Sequence, residues 1–591
     1  MENLENPDII DLDKFSGIPH QWAISFQMID PYMYPFNVLG YARRGRYKKY
    51  RQERSIEAAL NAGATEEDLQ EDMRLLGYMT VERTSPGPPR DPLGPLSSDQ
   101  NGIMYEGWKI ARVKLLYKMK GERSDPKNWR PVCLLDIASK ILSSVIVKRA
   151  QVLYEQVGSD EQCGFRSGRG CADGIFNVMM ALQKRKEHNL DSFVLFIDLI
   201  KAFDSISREA LFEILRRYGM PDHFVNIIIR LHSDAKIKIE VGDQDIVVDS
   251  TIGVRQGSNE GPVLFLFFML AVMETLEWPD SIDVPEFFTK ADGGEIDTNQ
   301  SIINPNATFK FRDSLFADDC GILFGGRKAI EAGANHFLNH LEDFGVHMHV
   351  ARGEEEKSKT VAVFFPAKNS ELVKEDVTGK IDMVDRQGKA CHVHFEEKMK
   401  YLGVWIDSSL ASDVEITERI LAASKAYGAL SQTLLSKQVA PTVKGKLFQT
   451  LVLSILMYGS ECWSLTSSLK KRLTSFYNRC VRSMMRTSWG QSKAQRVTSV
   501  SLYERLGLKT FDQYIHKRIL QWAGHVSRMP MSRLPRKFLN SAAPHPRPAG
   551  GLSASWCSSL NSVLDAVGCI KDTWMEQAAD RLEWRAYINT L

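Results

Sequence analysis

Residues 314–324, Ser-Leu-Phe-Ala-Asp-Asp-Cys-Gly-Ile-Leu-Phe, constrain the fold more than any other stretch of the chain. Apolar runs lie on both sides of an aspartate pair. Asp forms turns readily and fits poorly inside strands, so the segment predicts a β-hairpin carrying two carboxylates at its tip. Adjacent anions repel each other, and placing them at a partly enclosed tip makes a seat for a cation. Upstream, residues 193–197 are five apolar side chains closed by Asp198, the pattern of a buried central strand with a carboxylate at its C-terminal end. A strand ending in Asp198 beside a hairpin bearing Asp318 and Asp319 is the minimum needed to hold two divalent ions roughly 3.5–4 Å apart.

A chain of 591 residues, 43% hydrophobic, has room for several globular domains with sizeable cores. Nine scattered cysteines without a C-x-x-C pair suggest neither a zinc ribbon nor a disulfide framework and fit a reducing compartment. The first residues are acidic, and the longest apolar run, residues 263–273, is too short to span a bilayer. The expectation is therefore an intracellular protein of the nucleus or cytoplasm, with no secretion signal, no membrane contact and no evident obligate protein partner.

The net charge of +2 hides an asymmetry. Between Glu418 and Lys537, 21 Lys and Arg stand against 4 acids, a segment charge of +17. Basic excess combined with helical apolar periodicity and aromatic residues is the electrostatic footprint of nucleic-acid binding, and Lys470, Lys471 and Arg472 form its densest cluster.

Along the chain, residues 1–84 carry no assignable role beyond a helix start at Thr65 and a basic cluster at residues 43–54, and the proline-rich residues 85–98 read as a linker. Trp129-Arg130-Pro131 leads into a helix whose apolar face is predicted at Leu134, Ala138, Ile141 and Val145. Gly164-Phe165-Arg166-Ser167-Gly168-Arg169-Gly170 is a flexible basic loop in which Arg166 and Arg169 could meet a template backbone or a triphosphate. Gly253-Val254-Arg255-Gln256-Gly257 precedes a strongly apolar helix from Val263, with Gln256 and backbone N–H groups placed to touch a base pair or sugar. Residues 280–308 read as an insertion. His347 with His349, and His392 with His394, have strand spacing for shared metal ligation, but no third ligand accompanies either pair. Residues 400–406 read as one strand, apolar on both faces and ending in Asp407.

Trp129-Arg130-Pro131, Gly164-Phe165-Arg166, Phe196-Ile197-Asp198 with Ala202-Phe203-Asp204, Arg255-Gln256-Gly257, Phe316-Ala317-Asp318-Asp319, Ser358-Lys359-Thr360 and Tyr401-Leu402-Gly403-Val404 follow one another in the order of the blocks of a reverse transcriptase. In that order and spacing the chain resembles the enzymes of the non-LTR, LINE-type retrotransposons over roughly residues 105–407. Residues 456–463 and 522–529 resemble the downstream segments of the same elements.

The resemblance implies an α+β right-hand polymerase with a helical thumb and C-terminal helical region: fingers and a ferredoxin-like palm with an antiparallel sheet over residues 99–407, a basic helical thumb over 408–540, and a C-terminal tail over 541–591. It implies that Asp198, Asp318 and Asp319 hold two Mg²⁺ ions, or Mn²⁺ in their place. Lys359 would protonate pyrophosphate, and Phe203 would act as the steric gate against a ribose 2′-hydroxyl. Gln256 and Gly257 would pack on the incoming nucleotide, while Arg166 and Arg169 would make fingers contacts. The implied partners are an RNA template, a DNA primer or target, and dNTPs. No endonuclease constellation is visible in residues 1–98 or 540–591, so the expected chain is a polymerase core with its thumb. Two rival readings stay open: a maturase-like nucleic-acid-binding protein without turnover, and a palm-fold nucleotide cyclase.

Overall fold

In the computed structural model the described residues are 23–26, 79–82 and 106–591, the last range without 119–120, 126–127, 242–243, 256, 290–306, 373–376, 378, 488–489, 491–496, 549–551, 553 and 572. The expected helix start at Thr65, the basic cluster at 43–54 and the linker at 85–98 lie outside them. The chain divides into two compact units, one made of residues 1–159, 201–275 and 344–346, the other of 160–200, 276–343 and 347–591.

The first unit holds a four-stranded sheet in the order Trp129–Leu134, Ile110–Tyr117, Lys236–Val241, Gln244–Asp249. The middle pair is parallel and the outer pairs are antiparallel. Ala111, Val113, Cys133 and Leu135 form its small core. Helix Ile137–Val157 starts where the Asp136 side chain accepts from the Ala138 N–H. Its buried face differs from the expected one. Leu134 belongs to the preceding strand and Ile141 is 54% exposed, while Ser139, Ser143, Ile146, Ala150 and Leu153 face inward. Buried serines suit this face because Arg255, donating to Ser139 Oγ at 3.5 Å and paired with Glu260 at 3.2 Å, is buried beneath it. Helix Glu260–Glu274 is enclosed along nearly its whole length, as its continuous apolar run requires.

The second unit is built on a six-stranded sheet in the order Asp313–Phe316, Asp319–Phe324, Ser192–Ile197, Val361–Phe365, Ala390–Phe395, Lys380–Val384. All neighbours are antiparallel except Val361–Phe365 with Ala390–Phe395, which are parallel. Ser192–Ile197 is buried at every position, as expected for a central strand covered on both faces. Val194 and Phe196 share one core with Ile175, Phe176 and Met179 of helix Cys171–Glu187.

Residues 400–406 are not one strand. Lys398–Tyr401 and Val404–Asp407 pair antiparallel around Leu402 and Gly403, whose φ angles are 46° and 83°. A two-residue loop with positive φ at both positions matches the twist of a hairpin. Leu402 accepts that backbone because its side chain is buried, so close against Gly174 that a Cβ there would lie 2.8 Å from Leu402 Cδ1.

From Asp413 onward the described chain is helical, including Asp413–Ala429, Ser467–Met484, Phe511–Ser527, Trp556–Val567 and Arg581–Thr590. Residues 541–591 are part of this core rather than an appendage. Trp584 Nε1 donates to the Leu520 carbonyl at 2.9 Å, and Trp556 Nε1 to the Glu461 carbonyl at 2.7 Å. Among the described residues no helix is long and apolar enough to cross a membrane.

Candidate active site

Asp198 follows directly on the buried strand Ser192–Ile197. Its backbone is clamped: the N–H donates to Thr360 Oγ1 at 3.2 Å and the carbonyl accepts from the His349 N–H at 2.8 Å. Its carboxylate is left to face outward, 3.3 Å from Lys359 Nζ.

The aspartate hairpin takes the expected form. Phe316 pairs with Asp319, and Ala317 and Asp318 make the loop, with Ala317 at φ 57°. On its other side Asp319–Phe324 pairs with the Asp198 strand in the register Cys320↔Ile197, which brings the hairpin tip level with Asp198. Carboxylates separated by more than a hundred residues in sequence are thereby brought to one end of one sheet.

Their electrostatics follow from that proximity. Partial burial raises the Asp318 carboxyl above its ordinary range, and the Asp198 charge adds to the effect. Asp319 is pushed up to about 6 by partial burial and by the charges of Asp318 and Asp198. Like charge crowded onto partly buried carboxylates is relieved by a cation. Among the described residues no three Asp, Glu, His or Cys side chains are gathered closely enough to hold an ion as they stand. The donor chemistry nevertheless fits a hard divalent cation, since it is all carboxylate oxygen. The Lys359 ammonium on Asp198 shows that the site already draws positive charge.

The Gly-Phe-Arg segment packs against the hairpin. Cys163 N–H donates to the Leu315 carbonyl at 2.8 Å, and Leu315 N–H to the Glu161 carbonyl at 3.0 Å. The buried Gln162 side chain accepts from both the Gly164 and Ala317 N–H groups, each at 2.9 Å. A Cβ on Gly164 would stand 2.6 Å from the Ala317 nitrogen, so only glycine lets the two backbones come this close. Arg166 is buried with Nη1 3.4 Å from the Gln162 carbonyl, and Arg169 pairs with Asp160 at 2.5 Å. In this structure the segment braces the hairpin and both arginines are engaged with internal partners. Tyr401 supports the same hairpin, its buried hydroxyl lying 3.0 Å from Ser314 Oγ and 3.1 Å from the Ser314 carbonyl. The bracing role of Gln162 and the clamping of Asp198 by Thr360 and His349 were not foreseen, because nothing local marks a group whose partner lies far along the chain.

Phe203 and Gly257 lie in the first unit. The half-buried Phe203 ring stacks on Phe265 with centroids 4.3 Å apart. Val254 N–H donates to the Phe203 carbonyl at 2.9 Å, tying the Arg255 loop to the Phe203 turn. Gly257, at φ 80°, is so near the Cys133 carbonyl that a Cβ would lie 2.2 Å from its oxygen. Gln256 lies outside the described residues.

In the basic segment, Lys470 pairs with Asp512 at 3.3 Å, and Arg472 bonds Asp413 and, at 2.7 Å, Thr417 Oγ1. Lys471 is exposed. Two of the three charges singled out there are thus balanced by acids.

Residues 118–406 match the family described as Reverse transcriptase (RNA-dependent DNA polymerase). The chain is 21% identical to the "Probable RNA-directed DNA polymerase from transposon BS" of Drosophila melanogaster, covering 71% of this chain and 42% of that protein. It is 21% identical to the RNA-directed DNA polymerase from mobile element jockey of the same fly, over 62% of this chain and 36% of that protein. With the retrovirus-related Pol polyprotein from type-1 retrotransposable element R2 of Nasonia vitripennis it shares 24% identity, over 52% of this chain and 27% of that protein. The chain therefore spans less than half the length of each of these relatives. Among solved structures, apo telomerase from Candida Tropicalis aligns over 84% of this chain and 70% of that chain, with 11% identity and a TM-score of 0.33.

Proposed function

We propose that this chain, whose residues 118–406 match the reverse transcriptase family, is an RNA-directed DNA polymerase of the non-LTR retrotransposon type, adding deoxynucleotides to a primer 3′-hydroxyl on an RNA template. The observation that carries the reading is the strand register that sets the Asp318-Asp319 hairpin beside Asp198.

Asp198, Asp318 and Asp319 would hold the divalent ions, two Mg²⁺ or Mn²⁺. Bound there, such ions supply Lewis-acid activation of the hydroxyl and neutralise the triphosphate charge. Asp198 is held by its backbone so that its carboxylate keeps a fixed direction. Lys359 carries a proton at Nζ beside Asp198 and delivers it to the leaving pyrophosphate. Phe203 selects against the ribose 2′-hydroxyl, and Gln256 and Gly257 contact the incoming nucleotide. Arg166 and Arg169, on the segment that braces the hairpin, make the fingers contacts to the template backbone or triphosphate. The basic residues around Lys471 track the template–primer backbone.

The test is dTTP incorporation on poly(rA)/oligo(dT) by the purified chain with Mg²⁺, with Mn²⁺ and with chelator. Extension that requires a divalent ion and an RNA template is the expected result. Binding of the duplex without extension under either ion would favour the maturase-like reading.

A further inference from the structure

We infer that His349 is the positioning residue for Lys359, an inference that rests on the polymerase reading above and adds a role for a side chain outside the carboxylate set. His349 lies between the two groups that meet at Asp198. Its N–H donates to the Asp198 carbonyl at 2.8 Å, and its own carbonyl accepts from the Thr360 N–H at 3.3 Å and from Ser358 Oγ. Its ring Nδ1 accepts the Lys359 backbone N–H at 3.3 Å. Thr360 Oγ1 closes the loop by accepting from the Asp198 N–H at 3.2 Å. Residues 358–360, His349 and Asp198 thus form one hydrogen-bonded frame.

Within that frame only the Nδ1 bond depends on the identity of residue 349, since the others use its backbone. It is also the bond made directly to Lys359. The lysine side chain is 67% exposed and hangs on a flexible four-carbon stem. What fixes its ammonium beside Asp198 is therefore mainly the position of its root. Because Nδ1 accepts, the neutral ring carries its proton on Nε2. The bond also disposes of the metal pairing that the spacing of His347 and His349 suggested. Nδ1 is spent on a peptide N–H, and no third ligand stands with the pair among the described residues.

The chemistry of the ring atom makes the role testable. In Asn the Oδ1 atom is as many bonds from the backbone as Nδ1 is in His, so it can accept from the same N–H. In Gln the acceptor is one bond farther out, and in Ala it is missing. Single-nucleotide extension on poly(rA)/oligo(dT) with Mg²⁺ is measured for wild type, His349→Ala, His349→Asn, His349→Gln, Lys359→Ala and the His349→Ala/Lys359→Ala double variant, with a melting temperature for each. His349→Ala is expected to lower kcat about five- to tenfold, the order of one lost hydrogen bond, with KM for dTTP nearly unchanged. His349→Asn should restore most of the rate, and His349→Gln should not. In the Lys359→Ala background, His349→Ala should cost nothing further, because its effect passes through the lysine. Additive losses in the double variant, or an Asn variant as impaired as Ala at equal melting temperature, would overturn the role of His349 while leaving the polymerase reading standing. A wild-type chain that binds the duplex and never extends it would overturn that reading and this inference together.

Discussion

Lys359 and Asp198, 3.3 Å apart, set up a competition at the centre of the site. The ammonium occupies the face of a carboxylate that the proposed divalent ion would share, and it is also the proposed proton source for pyrophosphate. Lys359→Met should therefore act in two directions, lowering the Mg²⁺ concentration that gives half-maximal extension while lowering the maximal rate. A Mg²⁺ titration of extension rate checks this, and a half-maximal concentration that rises would contradict it. Phe203 makes a separable claim: Phe203→Ala, which opens space beside Phe265, should raise ribonucleotide incorporation relative to deoxyribonucleotide. An unchanged ratio would remove it from the gate. At this scale the acidic residues were legible in the sequence because a carboxylate at the end of an apolar run has few structural uses. The roles of Gln162, Thr360 and His349 were not, since Gln162 acts on Ala317 and Thr360 and His349 act on Asp198 across long stretches of chain.

Among the elements, the hairpin depends on a segment that precedes it by some 150 residues. Gln162→Leu would leave the Gly164 and Ala317 N–H groups without their acceptor inside the protein. Each buried unsatisfied donor costs roughly 1–3 kcal/mol, so a fall in unfolding free energy of about 2 kcal/mol or more is expected, together with weakened extension. Denaturant unfolding measures the first, and an unchanged midpoint would show that Gln162 is no brace. The central strand and the apolar helix from Glu260 were readable from unbroken hydrophobic runs. The inward face of helix Ile137–Val157 was misread because a buried Arg255–Glu260 pair draws serines to it, leaving Ile141 outside. The turn at Leu402-Gly403 was missed because a leucine with φ of 46° carries no turn signature.

Across the whole chain, the two compact units interleave, residues 201–275 joining the first while residues on either side join the second. Sequence gives no warning of that, because the division follows contacts rather than composition. The charge asymmetry was legible, and the structure refines how it is distributed. Lys470 and Arg472 are balanced by Asp512 and Asp413, while Lys471 is exposed. Replacing all three with Gln should therefore flatten the dependence of log affinity on log salt by about 0.9, the value of one duplex phosphate contact, rather than by three times that. No change in slope would take this cluster out of the nucleic-acid path.

The central claim is that Asp198, Asp318 and Asp319 act together on a divalent ion to make DNA on an RNA template, and Asp318→Asn tests it most directly. The substitution removes one metal-binding charge from the hairpin tip and almost no surface. Primer extension on poly(rA)/oligo(dT) with Mg²⁺ is measured beside duplex affinity for the variant and wild type. Extension should be lost, since a missing metal ligand removes several kcal/mol of transition-state stabilisation to order of magnitude, while affinity stays within a few-fold. Extension by Asp318→Asn at the wild-type rate would contradict the account.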